Sequence, residues 1–188
     1  MNLYFRVFLV ILKALCSKGI KGLLDPSVVR FRVLPNDLDF NGHMNNGRYL
    51  TIMDLGRFDL IMRNGMMKFM LQHKGVPILG AAKIRYRLPL MPFQKFDLET
   101  RIICWDERWA FMEQRFIIVD GSKKGAVAAI AIVKGSFYDK RRKALMPPSE
   151  PLVHLGWNQP SPVMPLHIQK WQEAEDALKM VTSDNAAV

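Results

Sequence analysis

The stretch NDLDFNGHMNNGRYL, Asn36 to Leu50, decides how the chain reads. It holds two carboxylates, one histidine and four asparagines, directly ahead of a long apolar segment. Part of this polarity is what a helix entrance needs. The first N–H groups of a helix have no intrahelical acceptor, and Asn45 or Asn46 can cap them. Asn41-Gly42 is a pair that supplies the positive φ of a turn. Neither task requires Asp37, Asp39 and His43 as well. A helix N-terminus carries partial positive charge and free N–H groups, so it can hold a developing oxyanion. A carboxylate beside it can attack a thioester carbonyl or activate water for that attack. A histidine two or four residues away can hold the water or assist proton transfer. Residue types alone leave two readings open, a polar cap and a hydrolase site.

Working outward, VVRFRVLP (Val28 to Pro35) alternates and is rich in β-branched residues, which predicts a strand. On the other side, Tyr49 to Gly75 runs without proline, and its apolar positions cover most of a helical wheel. That predicts a long helix buried on nearly all sides, with Gly65 as a bend or early end and Gly75 with Pro77 as the stop. Four strand-like runs follow: PILGAAKIRYRLPL, FDLETRIICWDE, RWAFMEQRFIIVD and GAVAAIAIVKGSFYD. Turn signals separate them, Asp120-Gly121 being the strongest. Strand, helix, then antiparallel meander is an α+β order, with the helix able to lie across one curved sheet. The expected organisation is an amphipathic helix in 1–24, the main domain in 25–146, and a proline-rich loop with a short helix in 147–188.

The 188 residues are 49% apolar and 23% charged, a globular composition. A net charge of +10 favours anionic partners: nucleic acid, a phosphorylated ligand or an anionic membrane. No aromatic–basic RNA signature or zinc-finger spacing is present, so nucleic acid is not expected. Two cysteines and four histidines show no metal-ligand spacing. A reducing, cytoplasmic setting fits such sparse cysteine usage, and Cys104 reads as a buried strand residue.

The first segment, MNLYFRVFLVILKALCSKG, is too interrupted by Arg6 and Lys13 to read as a membrane span. As a helix it gathers Asn2, Arg6, Lys13 and Ser17 into one narrow stripe and must bury most of the rest. Contact of residues 1–18 with a membrane surface and packing on the domain or a dimer partner both fit. Lys18 and Lys21 extend its positive charge.

The pattern Asp37-x-Asp39-x-Asn41-Gly42-His43-Met44-Asn45-Asn46-x-x-Tyr49 resembles the signature of hot-dog-fold thioesterases, in both the 4-hydroxybenzoyl-CoA thioesterase-like and acyl-ACP thioesterase branches. The resemblance covers roughly Val28 to Tyr138 and matches the element order. It implies a hot-dog fold, an antiparallel sheet wrapped around a long central helix, here with extra N- and C-terminal helices. It implies an acyl-CoA thioesterase that releases a fatty or aromatic acid and a thiol, without a cofactor or metal, as a homodimer or higher oligomer. Asp39 matches the catalytic carboxylate, base or nucleophile by branch. Asn41 and His43 match the Asn-x-His pair, and the N–H near Asn46 the oxyanion donor. Tyr49 matches a recurrent aromatic of the first helical turn, which core packing explains equally. Asp54 and Arg57 resemble an acidic-x-x-basic pair, read as a structural ion pair. The chain departs at Leu88-Pro89, where the acyl-ACP branch has a glutamate.

Lys83, Arg85 and Arg87 alternate on one strand and share a face. They suit either a clamp for the phosphates of a CoA or carrier-protein thioester or an ordinary solvated surface. Lys140 to Lys143 form a second basic cluster. Met53, Met62, Met66, Met67 and Met70 offer a deformable wall for an acyl chain, or simply core. Alternatives to the acyl-CoA hydrolase are an acyl-ACP thioesterase and a non-catalytic, membrane-associated acyl-binding protein.

Overall fold

The computed structural model describes residues 2–17, 19, 20 and 22–184; Lys18 and Lys21 fall outside them. In chain order the elements are α1 (Asn2–Cys16), β1 (Ser27–Arg32), a 3₁₀ turn (Pro35–Asp37), α2 (Asn46–Arg63), α3 (Met66–His73), β2 (Gly75–Tyr86), β3 (Lys95–Trp105), β4 (Ala110–Ile118), β5 (Val127–Asp139), β6 (Ala144–Met146), α4 (Ser149–His154) and α5 (Leu166–Asp184). The strands form one antiparallel sheet in the order β1-β3-β4-β5-β2, with β6 added to β5. The segment between β1 and β2 carries α2 and α3 from one edge of this sheet to the other. This is the hot-dog arrangement that the sequence pattern implies.

Alternation along the strands builds the core. On β1, Val29 and Phe31 point inward while Val28, Arg30 and Arg32 face out. Phe96 and Leu98 of β3, Phe116 and Ile118 of β4, and Ala131 and Val133 of β5 continue the inner face. Tyr49, Ile52, Met53 and Leu55 of α2 pack against it. Each such side chain, fully withdrawn from water, contributes about 1.5–3 kcal/mol. The apolar positions of α3 (Met66, Phe69, Met70) extend the packing with Ile102, Trp105 and Phe137.

The expected long helix is two helices. Asn64 caps α2, and Gly65 turns the chain with φ +85° before α3 begins. The stop at Gly75 and Pro77 is also different in kind: β2 starts at Gly75, and Pro77 lies within it. A proline is admissible there because β2 is a sheet edge, where its missing N–H leaves no ladder bond unmade.

Helix α2 sits unusually close to the sheet. A Cβ on Gly56 would come within 2.6 Å of both Leu98 Cδ2 and Thr100 Oγ1. Between them lies Gln114, fully buried, which donates to the Met53 carbonyl and to Thr100 Oγ1, both at 2.9 Å. Its carbonyl oxygen accepts from Arg57 Nη1, so its bonding groups are used on both sides. On the opposite face α5 lays Ile168 and Trp171 over Cys104, Phe111 and Ile132. Burial pushes the Cys104 thiol up to about 11, with the Asp106 charge adding to the effect, so it stays an inert thiol, as expected of a strand cysteine.

Gly56→Ala gains about 1 kcal/mol of helix propensity but forces α2 off the sheet, at a cost of about 1–3 kcal/mol. The expected result is a net loss of stability, read as a lower urea midpoint at unchanged slope. A midpoint at or above wild type would show that α2 is not held this close.

Candidate active site at the entrance of α2

The stretch Asp37 to Asn45 folds back on itself. Asp39 N–H donates to the His43 carbonyl (3.0 Å), and Gly42 N–H to the Asp39 carbonyl (3.1 Å). Gly42 adopts φ +74°, the left-handed conformation the Asn-Gly pair predicts. Leu38 and Met44 form a β-bridge, and Asn45 N–H reaches the Asp37 carbonyl at 2.8 Å. Asn45 is the N-cap of α2, its side chain accepting from Gly47 N–H at 2.8 Å. The Asn46 N–H, by contrast, has no acceptor among the described residues. It is the exposed donor at the helix tip.

The two aspartates of the stretch have opposite fates. Asp37 is completely buried. Both its oxygens are held by Arg6 of α1, at 3.2 and 2.5 Å, and Oδ1 also receives Arg48 Nε and Nη2 at 3.1 and 3.0 Å. The Leu34 N–H adds a further bond at 2.9 Å. Asp37 is therefore the fastening of the turn, joining α1, the 3₁₀ turn and the first turn of α2. Asp39, two residues on, is only partly covered, its side chain 13% exposed. Its Oδ1 accepts from Asn41 N–H at 2.9 Å, and its Oδ2 lies 3.7 Å from His43 Nδ1. That same nitrogen is 3.3 Å from the Met44 carbonyl. Both neighbours are acceptors, so a proton on Nδ1 serves them and leaves Nε2 as the basic nitrogen. Asp39, His43 and the Asn41 N–H thus meet on one closed turn, which runs on through the N-cap Asn45 into α2 at Asn46.

The other expected site residues are not all gathered there. The Asn41 and Asn46 side chains are exposed, and each residue serves through its backbone. Tyr49 is 2% exposed, packed between Tyr86 and Phe116 with ring centroids 5.1 and 4.8 Å away. Burial pushes its hydroxyl up to about 12, so it stays protonated. Tyr49 is not in the lining of the apolar cavity described below, and its surroundings are those of a packed core residue. Lys83, Arg85 and Arg87 are all exposed. Lys83 and Arg85 lie on the face of β2 turned away from α2, because the alternate residue Ile84 packs into the core and Tyr86 Oη donates to the Asn46 carbonyl at 3.1 Å; Arg87 lies past the end of the strand. Lys83 and Arg85 therefore sit on the face of the edge strand away from the entrance of α2. Asp54 and Arg57 do form their ion pair. Of the second basic cluster, Arg142 is engaged by Asp139 and Glu150, and Arg141 reaches the Gln72 carbonyl.

Two partners of this turn were not singled out from the sequence, Arg48 and Tyr86. Arg48 did leave a signal. A cation in the first turn of a helix opposes the helix dipole, so its presence there implies a nearby carboxylate.

An apolar cavity of about 260 Å³ lies further along the same helix. Its lining includes Phe58, Ile61 and Met66 from the helices, Ile78 from β2, Met112 from β4 and Phe137 from β5, with Asp54 and Arg57 at its polar margin. Asp54 is eight residues past Asn46, or about 12 Å along the helix axis. Of the five expected wall methionines, Met66 alone is in this lining.

The thioesterase-like superfamily model matches residues 33–171. The chain belongs to that family. It is 35% identical to Protein THEM6 of Danio rerio over 162 residues, covering 80% of this chain and 79% of that protein. It is 37% identical to Protein THEM6 of Xenopus laevis over 124 residues, which span 66% of this chain but 60% of the relative. Probable thioesterase YBR096W of Saccharomyces cerevisiae is 31% identical over 152 residues, 79% of this chain and 59% of that one. Among solved structures, the probable thioesterase YbaW of Escherichia coli superposes with TM-score 0.62 at 18% identity, covering 69% of this chain and 96% of that one. A 1,4-dihydroxy-2-naphthoyl-CoA thioesterase from Synechocystis gives 0.58 at 11% identity, covering 69% and 94%. These superpositions establish the hot-dog fold.

Removing one partner of a buried ion pair leaves an uncompensated charge and costs about 3–5 kcal/mol. With Arg48 still in place, Arg6→Met is expected at the low end, about 3 kcal/mol, by urea denaturation. Adding Asp37→Asn should recover part of that loss. A loss below about 1 kcal/mol would mean that α1 is not fastened through Asp37.

Proposed function

We propose that the chain is an acyl-CoA thioesterase in which Asp39 carries the reaction. The observation behind this is the geometry of one carboxylate. Asp39 is held by the Asn41 N–H, mostly shielded from water, and placed on the turn that ends in the free N–H of Asn46. In the hydrolysis, the thioester carbonyl points its oxygen at the α2 entrance. Asp39 accepts a proton from water as it attacks, or itself attacks the carbonyl carbon. The negative charge that develops on the oxygen is met by the Asn46 N–H and the helix dipole. Collapse expels the thiolate, which takes up a proton; on the first route this leaves the free acid, and on the second an anhydride with Asp39 that water then cleaves to the free acid and the Asp39 carboxylate. His43 Nε2 is the second basic group of the turn. A single turnover in isotopically labelled water tests the second route, since label enters the Asp39 carboxylate only through an anhydride that water opens at the Asp39 carbonyl carbon.

The substrate side of the proposal rests on two further features. The apolar cavity suits an aliphatic acyl chain more than a polar one. Lys83, Arg85 and Arg87 have no anionic partner among the described residues and suit the phosphates of CoA, with an acyl-carrier-protein arm as the alternative. Homodimerisation belongs to the same reading. β2 is a 12-residue strand with one side unpaired, and Phe40, next to Asp39, is 98% exposed. A bare edge of that length is a template for pairing. A second chain there would bring cavity, cations and carboxylate from two copies together. The separation of Asp39 from the cavity within one chain favours one other reading, an acyl-binding protein without hydrolysis.

A panel of fatty and aromatic acyl-CoA and acyl-ACP thioesters tests this. Wild type should release thiol, and Asp39→Asn, which keeps the acceptor for Asn41 N–H and hence the fold, should lose at least about a hundredfold in kcat/KM. A wild type inert on the whole panel that retains acyl ligand would establish the binding reading instead.

A further inference from the structure

Helix α1 is amphipathic in an unexpected sense. Its inward arc is Leu3, Arg6, Val7, Val10 and Ala14, packed on the core and on Asp37. Its outward arc is not polar. Tyr4 (81% exposed), Phe5 (61%), Phe8 (60%), Leu12 (49%) and Leu15 (71%) stand in solvent on the side opposite to the buried one, with Leu9 between them. At 100° per residue these six occupy a continuous arc of about 140°. The sequence predicts a helix that buries most of its circumference, and the fold buries only the other side. The arc is a large contiguous apolar patch, which marks a contact surface rather than a solvated one.

We propose that this outward face of α1 seats in the plane of an anionic lipid surface, and that the Arg6–Asp37 ion pair holds the Asp39 turn in fixed relation to that surface. Three observations choose lipid over another protein chain. First, α1 lies lengthwise on the domain, with Val10 packed into the core and Arg6 fastened to Asp37. Among the described residues no helix is long and apolar enough to cross a membrane. An in-plane helix needs no such length. Second, the apolar arc is bordered by cations. Lys13 is exposed at its margin, in a surface depression with Arg30, whose charge Asp97 pairs. Arg32, whose carbonyl accepts Arg6 Nη2, has a guanidinium without a partner among the described residues, and Lys95 lies across from it in register. Third, packing two such helices together would bring these like charges face to face, whereas lipid phosphates neutralise them. The fastening matters because α1 cannot lift away without leaving Asp37 buried beside one guanidinium fewer. If the thioesterase reading holds, the enzyme meets acyl thioesters at that surface. The docking itself does not depend on that reading.

Co-sedimentation with phosphatidylcholine vesicles, with and without phosphatidylserine, tests the docking without any substrate. The full chain should sediment with the phosphatidylserine vesicles, less so at high salt. The Phe5→Asn, Phe8→Asn double variant should bind at least about tenfold more weakly, with unchanged thermal midpoint and unchanged mass by light scattering. Leu12→Asn with Leu15→Asn, on the same arc, should do the same. Wild type that ignores both vesicle types overturns the proposal, as do variants that bind as well as wild type. A fall in particle mass in the variants, in place of lost vesicle binding, overturns it as well and assigns the face to a second copy of the chain.

Discussion

A carboxylate taken completely out of water is costly unless every lone pair finds a donor, and the Asp37 side chain is in that position. Two guanidiniums and one main-chain N–H meet it, and they come from three different parts of the chain. Arg6 reaches from α1, Leu34 from the end of β1, and Arg48 from the first turn of α2. Satisfying this one group therefore fixes where α1 lies, how the 3₁₀ turn closes and where α2 starts. The backbone carbonyl of the same residue takes the N–H of the N-cap, Asn45. The helix entrance is thus positioned by a side chain sealed completely from solvent.

Much of this was legible in the residues. Period-two and helical patterns placed the strands and the helices, and Asn-Gly placed the left-handed turn at Gly42. What the patterns missed shares one physical cause. Periodicity says that a face is apolar; it does not say which neighbour covers it. Arg6 belongs to the narrow polar stripe of the first helix, yet it points inward because its partner lies 31 positions away. Gly75 and Pro77 read as a helix stop because an edge strand, where proline is tolerated, is defined only by its neighbours in the sheet. Lys83 and Arg85 share a face as their alternation requires, but only Tyr86, bound to the Asn46 carbonyl, reveals that it is the face away from α2, and Arg87 lies past the strand's end. Within the turn before α2, the pattern gave no sign of the division of labour between its two aspartates, one buried and one partly open.

The central helix has two ends of different character. At its start lie a carboxylate, a histidine and an unpaired amide on a closed loop. Along its later turns, Phe58, Ile61 and the residues after the break at Gly65 line an apolar hollow whose polar margin is Asp54 with Arg57. The same Arg57 bonds Gln114 beneath the helix, and burial lowers its pKa against the opposing pull of Asp54. The hollow and the turn are thus tied to one rigid rod, itself pressed on the sheet at Gly56. Their spacing is set by backbone geometry rather than by mobile loops.

The middle of the sheet is enclosed differently from its rims. Along most of its length β5 has a hydrogen-bonded neighbour on each side, β4 and β2. Its Ala131 and Val133 are covered by the α2 side, while Ile132 lies under α5. Main-chain amides held this way are released to deuterium only when the whole domain opens, whereas those on the free side of β2 need no such event. The molecule therefore keeps a slowly breathing spine through its centre and reserves its readily available main-chain groups for one margin, where a second chain or a ligand can use them without disturbing the interior.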